Sequence, residues 1–246
     1  MRNVYIRFYE ELNDFLSVDK RKLRFPYSFK GRVSVKDLIE SLGVPHTEID
    51  LILVNTKSVG FNYLVNDKDD ISVYPVFESF DIKEVQHLRP QPLREPKFIL
   101  DIQLGSLAKY MRLLGFDVTY KNGYRENEII ILSINERRTV LTKDRNLLKR
   151  NDVTHGYWIR NKEVIDQLKE VAIRFHLNNL IQPFSRCMKC NTLLKKTEKK
   201  NIMERLEENT RNFFDEFFTC PSCNRIYWKG SHYQKMVKII NAIREL

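Results

Sequence analysis

The sequence predicts an α/β protein: a parallel sheet flanked by helices in mid-chain, with a small α+β unit before it and a cysteine-built metal module after it. Three observations predict this. From residue 97 onward, apolar strand segments alternate with amphipathic helical ones, the pattern of strand–helix–strand units. Residues 1–80 read instead as a hairpin, a helix and further strands. All four cysteines fall between 187 and 223, as two Cys-x-x-Cys pairs.

In the first unit, residues 2–9 alternate as a half-buried strand does, and a second strand is expected at Lys22–Tyr27. Ser34 and Asp37 form a capping-box-like helix start, in which Ser34 accepts from a free N–H and Asp37 favours the positive helix end. The helix Val35–Leu42 should stop at Gly43, with Pro45 barring continuation. Strands at Leu51–Asn55 and Ile71–Val76 complete the unit. Residues 83–97 hold three of the eight prolines. Proline restricts itself and its predecessor to extended conformations, so this stretch reads as a semi-rigid linker.

In the middle unit, Lys97–Asp101 is an apolar strand ending in an acid. Leu104–Leu114 places Leu104, Leu107, Ala108, Met111 and Leu114 at helical spacing, with Gly115 as terminator. Asp117–Tyr120 reads as a strand, Glu126–Asn135 as a helix, Arg138–Thr142 as a strand and Gly156–Arg160 as another. Lys162–Phe175 reads as a long amphipathic helix with Asn161 as its cap. Between the cysteine pairs, Glu198–Glu216 is an unusually long insert of helical character.

The 246 residues suffice for two or three modest domains. No run of 18 apolar residues is present, which excludes a membrane-spanning helix. The N-terminus enters a strand pattern without a signal-peptide core, so the cytoplasm is the expected compartment. The formal charge of +10 is uneven: residues 1–80 carry 11 Lys/Arg against 12 Asp/Glu, leaving 31 against 20 in residues 81–246. A basic body with a neutral head points to a polyanionic partner for the body, nucleic acid first.

In an open parallel sheet, the crevice beyond the carboxyl ends of the strands is the usual site. Asp101 ends one strand and Asp144 follows another, so both are expected at that edge although 43 residues separate them. Glu128, early in the intervening helix, supplies a third carboxylate, and Glu126 lies close by. Crowded carboxylates raise one another's pKa values unless a cation sits among them. Mg²⁺ or Mn²⁺ suits hard oxygen ligands and would stabilise charge growing on a scissile phosphate. Arg112, Lys143, Arg145 and Arg160 are the cations placed to hold a nucleic-acid backbone. The same acids have a plainer use, because Asp at a strand end often forms a turn or caps a helix. Asp144, before Arg145–Leu148, suits such a cap.

Cys187, Cys190, Cys220 and Cys223 make two metal knuckles with 29 residues between them. Each two-residue spacer lets two sulfurs of one tight turn reach the same ion, and four thiolates close the shell of a structural Zn²⁺. Asn191 and Asn224 follow the knuckles, and Asn tolerates the left-handed conformation such a turn needs. Beyond them, Tyr227-Trp228-Lys229-Gly230-Ser231-His232 sets aromatics beside basic groups. Such residues can stack unpaired bases or form the ribbon's own small core. Lys229 and His232 are the RNA-contact candidates there.

Two resemblances extend this reading. The order in residues 1–80, with Val35-Lys36-Asp37-Leu38-Ile39, Leu53-Val54-Asn55 and Asp69-Asp70-Ile71-Ser72-Val73-Tyr74-Pro75, resembles the β-grasp fold of ubiquitin-like sulfur carriers. Those carriers act through a C-terminal glycine pair. Here the place reads Pro75-Val76-Phe77-Glu78 and the chain continues, so sulfur transfer is excluded and a module for protein contact or dimerisation is expected.

The stretch from Lys97-Phe98-Ile99-Leu100-Asp101 through Leu104–Asp117 resembles the PIN-like ribonuclease domain found at the C-terminus of the worm mutator-seven exonuclease. Leu141-Thr142-Lys143-Asp144-Arg145-Asn146-Leu147-Leu148 and Thr154–Arg160 resemble it too, and so does the Tyr-Trp-x-Gly-Ser-His run. The resemblance implies a metal-dependent ribonuclease with Asp101, Glu128 and Asp144 as catalytic acids, a ubiquitin-like domain in front and a zinc ribbon behind. It places the domains at 1–82, 97–180 and 181–246, with 83–96 as linker. Two departures stand out. Tyr124-Arg125-Glu126-Asn127 replaces a more acidic run, and Lys143 stands where arginine is common. The implied partner is RNA, tRNA or another structured RNA included. The alternative function is an inactive RNA- or ribosome-binding protein that keeps the ribbon.

Overall fold

Val4, Ile6 and Phe8 are fully buried while their neighbours face outward, so Arg2–Phe8 (β1) forms as its alternation requires. The computed structural model describes residues 1–75 and 96–246; the proline-rich stretch at 83–96 lies outside the described residues except for its last position. Arg24–Phe29 (β2) pairs antiparallel with β1. Val35–Ser41 (α1) is capped by Ser34, whose hydroxyl accepts from the Asp37 N–H at 3.1 Å. Gly43 follows with φ +101°, a left-handed turn open to glycine at little cost. Ile49–Val54 (β3), Lys57–Ser58 (β4) and Asp70–Pro75 (β5) complete a sheet of order β2-β1-β5-β3-β4. The β1–β5 pair is parallel and the rest antiparallel, the mixed sheet of a β-grasp unit. Val35, Leu38 and Ile39 of α1 join the same buried cluster as the strand residues.

The next elements alternate as expected: Lys97–Leu100 (β6), Gly105–Leu113 (α2), Asp117–Thr119 (β7), Glu126–Asn135 (α3), Thr139–Thr142 (β8), Arg145–Leu148 (α4), Gly156–Trp158 (β9) and Val164–Arg174 (α5). β6 is the central strand, parallel to β7 on one side and β8 on the other. All four residues of β8 and three of the four in β6 are buried, as both-faces-covered parallel strands demand. Most boundaries shift by a residue or two, and the cap of α5 differs outright. α5 starts at Val164, and Asn161 does not cap it: the Asn161 side chain is drawn to Glu170 Oε2 at 2.8 Å instead.

Burial opposes charge on Asp117, yet hydrogen bonds from Arg138 and Asn191 and the charges of Arg138 and Arg186 outweigh it. Its carboxyl is held below the ordinary value. The Arg138 bond is 2.6 Å and the Asn191 bond 2.8 Å. This network ties β7 both to the arginine just before β8 and to the asparagine that follows the first cysteine knuckle.

Lys195–Thr197 (β10), Glu208–Phe213 (α6), Phe217–Thr219 (β11), Ile226–Tyr227 (β12) and Tyr233–Arg244 (α7) follow. β10, β11 and β12 form an antiparallel sheet in that order. The insert between the knuckles is less helical than expected: two short 3₁₀ turns and the six-residue α6, packed through Ile202, Leu206 and Phe217. No helix among the described residues is long and apolar enough to cross a membrane.

The chain forms two compact units. One is Met1–Arg94 with Asp144–Trp158; the other is Glu95–Lys143 with Ile159–Leu246. The segment carrying α4 and β9 therefore groups with the β-grasp fold.

Candidate functional site

The four cysteine thiols gather with all ligand atoms within 4.8 Å of one another. Cys187 and Cys223 sulfurs are 3.5 Å apart and those of Cys190 and Cys220 3.3 Å, far beyond a disulfide bond of ~2.05 Å. A tetrahedron of ~2.3 Å Zn–S bonds has edges of about 3.8 Å, so this cluster fits a tetrahedral metal ion. Each knuckle closes as its sequence suggests. Asn191 donates its N–H to the Cys187 carbonyl and Asn224 to that of Cys220, both at 2.9 Å, with φ of 72° and 57°. Crowding splits the thiols. Burial pushes Cys223 up to about 12, while for Cys190 hydrogen bonds from Thr192 and its sulfur neighbours overcome burial and bring it down to about 6. Four thiolates held together need a cation among them.

Asp101 lies buried at the carboxyl end of β6. Its Oδ1 accepts from the Gln103 N–H at 2.9 Å, capping a short 3₁₀ turn. Its Oδ2 accepts from the Lys143 N–H at 3.0 Å and from the Thr142 hydroxyl in a very short bond. The parallel pairing of β6 with β8 sets this up, because Leu100 sits opposite Leu141 and the next residues of both strands meet. Glu128 is exposed in the first turn of α3, where its Oε2 accepts from the Arg125 N–H at 2.8 Å. Glu126 opens that helix, exposed. Asp144, next in the chain after Lys143, caps α4 by accepting from the Asn146 N–H at 2.8 Å. Each of the three acids thus serves a helix or turn start. Among the described residues, the cysteines are the one set of three or more His, Cys, Asp or Glu side chains gathered as a metal site; Asp101 and Glu128 belong to one compact unit and Asp144 to the other.

The basic candidates divide. Arg112 is buried, and its guanidinium donates to the carbonyls of Val118, Tyr120, Met188 and Lys189 at 2.8–3.3 Å. It braces α2 and β7 against the first cysteine knuckle, which removes it from the RNA-contact set. Arg160 faces Glu170, 3.9 Å away, and Arg145 stacks over the Trp158 ring at 3.8 Å and the Phe15 ring at 5.3 Å. Lys229 pairs with Glu216 at 2.7 Å on the surface. Lys143 is half-buried and His232, at the start of α7, exposed. Gln167 is buried and donates to the Asn161 and Lys162 carbonyls at 3.1 and 3.0 Å, a structural brace for the loop before α5.

Sequence reasoning missed how the segment behind Asp144 is held. Within the first unit, the Trp158 N–H donates to Glu48 Oε1 at 2.6 Å and the Thr47 hydroxyl to the Leu148 carbonyl at 3.4 Å. Lys149 reaches the Glu40 carbonyl at 3.1 Å, and His46 lies between Glu40 Oε1 at 2.7 Å and the Val153 carbonyl at 2.9 Å. The Phe15 and Trp158 rings meet at 5.0 Å. The N-terminal module, expected to contact another protein, engages residues of its own chain. Phe15→Ala should therefore cost about 3–5 kcal/mol in urea unfolding, with hydrogen-exchange protection lost from the amides of 147–158 as well as from β1. Protection unchanged in 147–158 would refute the clamp.

Comparison with known proteins adds two matches. The family model described as the Mut7-C RNAse domain matches residues 96–240, and the one described as Mut7-C ubiquitin matches residues 1–81. No curated protein and no solved structure matches the chain.

Proposed function

The chain belongs to the Mut7-C RNAse domain family, and from that premise we propose that it is a metal-dependent ribonuclease that hydrolyses RNA phosphodiester bonds. The observation that carries this reading is Asp101, a buried carboxylate at the carboxyl end of β6 held by donors from the end of β8, the place where open parallel sheets carry their chemistry. Asp101, Glu128 and Asp144, with Glu126 nearby, offer an all-oxygen donor set that suits Mg²⁺ or Mn²⁺. When bound, such an ion supplies charge stabilisation to a reacting phosphate.

The chain's own residues would do the rest. The Thr142 hydroxyl and the Lys143 backbone N–H would hold the Asp101 carboxylate in place as an acceptor. The four thiolates would hold a structural Zn²⁺ that rigidifies the ribbon, leaving no open position for chemistry. In this proposal the domains run 1–82, 97–180 and 181–246.

A second reading, an RNA- or ribosome-binding protein without turnover, is favoured by one observation: all three acids already serve as helix or turn caps. Incubation of the zinc-loaded chain with a defined RNA, with and without Mn²⁺, separates the two. The ribonuclease cleaves only with Mn²⁺ and the binder never does. In either case affinity should fall ~10³-fold or more between 50 and 200 mM salt if six or more phosphates are contacted. Affinity flat with salt, with no cleavage, would sink both.

A further inference from the structure

We propose that the C-terminal ribbon carries a subsite for one unpaired nucleotide of RNA, a proposal that rests on the nucleic-acid reading above and narrows its substrate class. A cavity of about 380 Å³ opens between the ribbon, α7 and residues 183–188, within the size of small-ligand sites. Its lining is mostly apolar and includes the aromatic residues Phe184, Phe218, Trp228 and Tyr233, with Lys229 and Glu216 also on its wall. Phe184 and Tyr233 stack at 5.1 Å with planes 26° apart, giving one wall a flat double layer. Trp228 remains 38% exposed, so part of its ring is open to a ligand.

Two backbone features hold these rings open. Phe184 adopts φ 59°, a left-handed conformation that bulky residues rarely take. At Gly230 an added Cβ would lie 2.7 Å from Trp228 Nε1, so only glycine lets the indole rest there. The Tyr-Trp-x-Gly-Ser-His run thereby gains a role: it presents Trp228 to the cavity and starts α7 beside it.

The surroundings select a polyanion's base over an apolar peptide. Residues 181–246 carry 13 Lys/Arg against 7 Asp/Glu. The Lys229–Glu216 pair is exposed, with 58% and 43% of the side chains open. Such a pair gives way to a phosphate at little cost, leaving Glu216 Oε2 to accept from a base N–H while Lys196 stays 3.8 Å from its Oε1. A base inside a duplex is stacked on both faces and cannot enter; an unpaired one can, and aromatic stacking accepts any base.

The test measures affinity of the full-length, zinc-loaded chain for a single-stranded RNA oligonucleotide and for the same strand in a duplex. Trp228→Ala should weaken single-strand binding roughly 5- to 150-fold, the range for losing one stacked base, and leave duplex binding unchanged. Trp228→Phe should retain most of the affinity. Tyr233→Leu, which keeps an apolar filler on α7 but no stacking face, should reproduce the selective loss with zinc content intact. That variant decides the matter should Trp228→Ala shed its metal. Equal loss for strand and duplex, or no loss in Tyr233→Leu, overturns the subsite. Mn²⁺-dependent cleavage is scored separately: selective binding in a chain that never cleaves overturns the ribonuclease reading and leaves the subsite standing.

Discussion

Asp101→Asn is expected to lower Mn²⁺-dependent RNA cleavage by on the order of 100-fold or more while leaving the fold and RNA affinity nearly unchanged. The size follows from what is lost. Substituting even an outer-shell partner of a metal ligand typically costs ~10–100-fold, and here the proposed ligand itself loses its charge. The fold should survive because asparagine caps a helical turn about as well as aspartate, so the bond from the Gln103 N–H to the side-chain oxygen is kept. The Thr142 hydroxyl can rotate and accept from the new amide, whereas the fixed Lys143 N–H that faces Oδ2 cannot. A modest stability loss, about 1–2 kcal/mol for one imperfect buried bond, is therefore the ceiling expected from thermal unfolding. Cleavage within a few-fold of the parent chain, with zinc retained, would remove Asp101 from the chemistry and favour the binder.

The second large effect concerns zinc. One zinc ion per chain should be found by metal analysis, and its removal should unfold the ribbon while β1–β5 stays folded. Structural zinc sites are worth ~10–16 kcal/mol of apparent binding energy at neutral pH. The ribbon has little to replace it: Ile202, Leu206 and Phe217 are the buried members of its apolar cluster, with Phe214 and Ile226 packed alongside. A three-stranded sheet on so small a core is of the kind that needs a staple. The loss should reach α2, because Arg112 spends two of its hydrogen bonds on knuckle carbonyls, those of Met188 and Lys189. Cys187→Ser is the matching substitution, since Cys187 is fully buried. Binding should also weaken on acidification, because protons compete with the ion for thiolate. Circular dichroism and hydrogen exchange over 187–230 give the readout; a ribbon that stays protected after chelation would show that packing alone holds it.

Both experiments bear on how far the chain could be understood before its structure. The acids illustrate the division. Strand-end positions for Asp101 and Asp144 and a first-turn position for Glu128 were readable from periodicity, and so was a capping or turn role for the two aspartates. What the periodicity did not carry was whether a cap would also be a ligand, because that depends on side chains converging from separate elements. The arginines make the same point more sharply. Arg112, Arg145 and Arg160 look alike in sequence, yet one is buried among carbonyls, one is stacked on rings and one faces a glutamate.

By itself the sequence determined what short-range geometry can enforce. The period-two burial of β1, the Ser34 cap and Gly43 stop of α1, the apolar parallel strands β6 and β8, and two knuckles closed by left-handed asparagines all arise between residues a few positions apart. Each such contact depends on local backbone angles and carries its own residue signature. Only the tertiary structure decided the rest. It joined 144–158 to the β-grasp unit through His46, Thr47 and Glu48, turned Arg112 inward, and assembled an aromatic cavity from residues 113–233. Contacts across about a hundred residues leave no periodic trace, because their partners are chosen by which buried groups can satisfy one another once the chain has closed its loops.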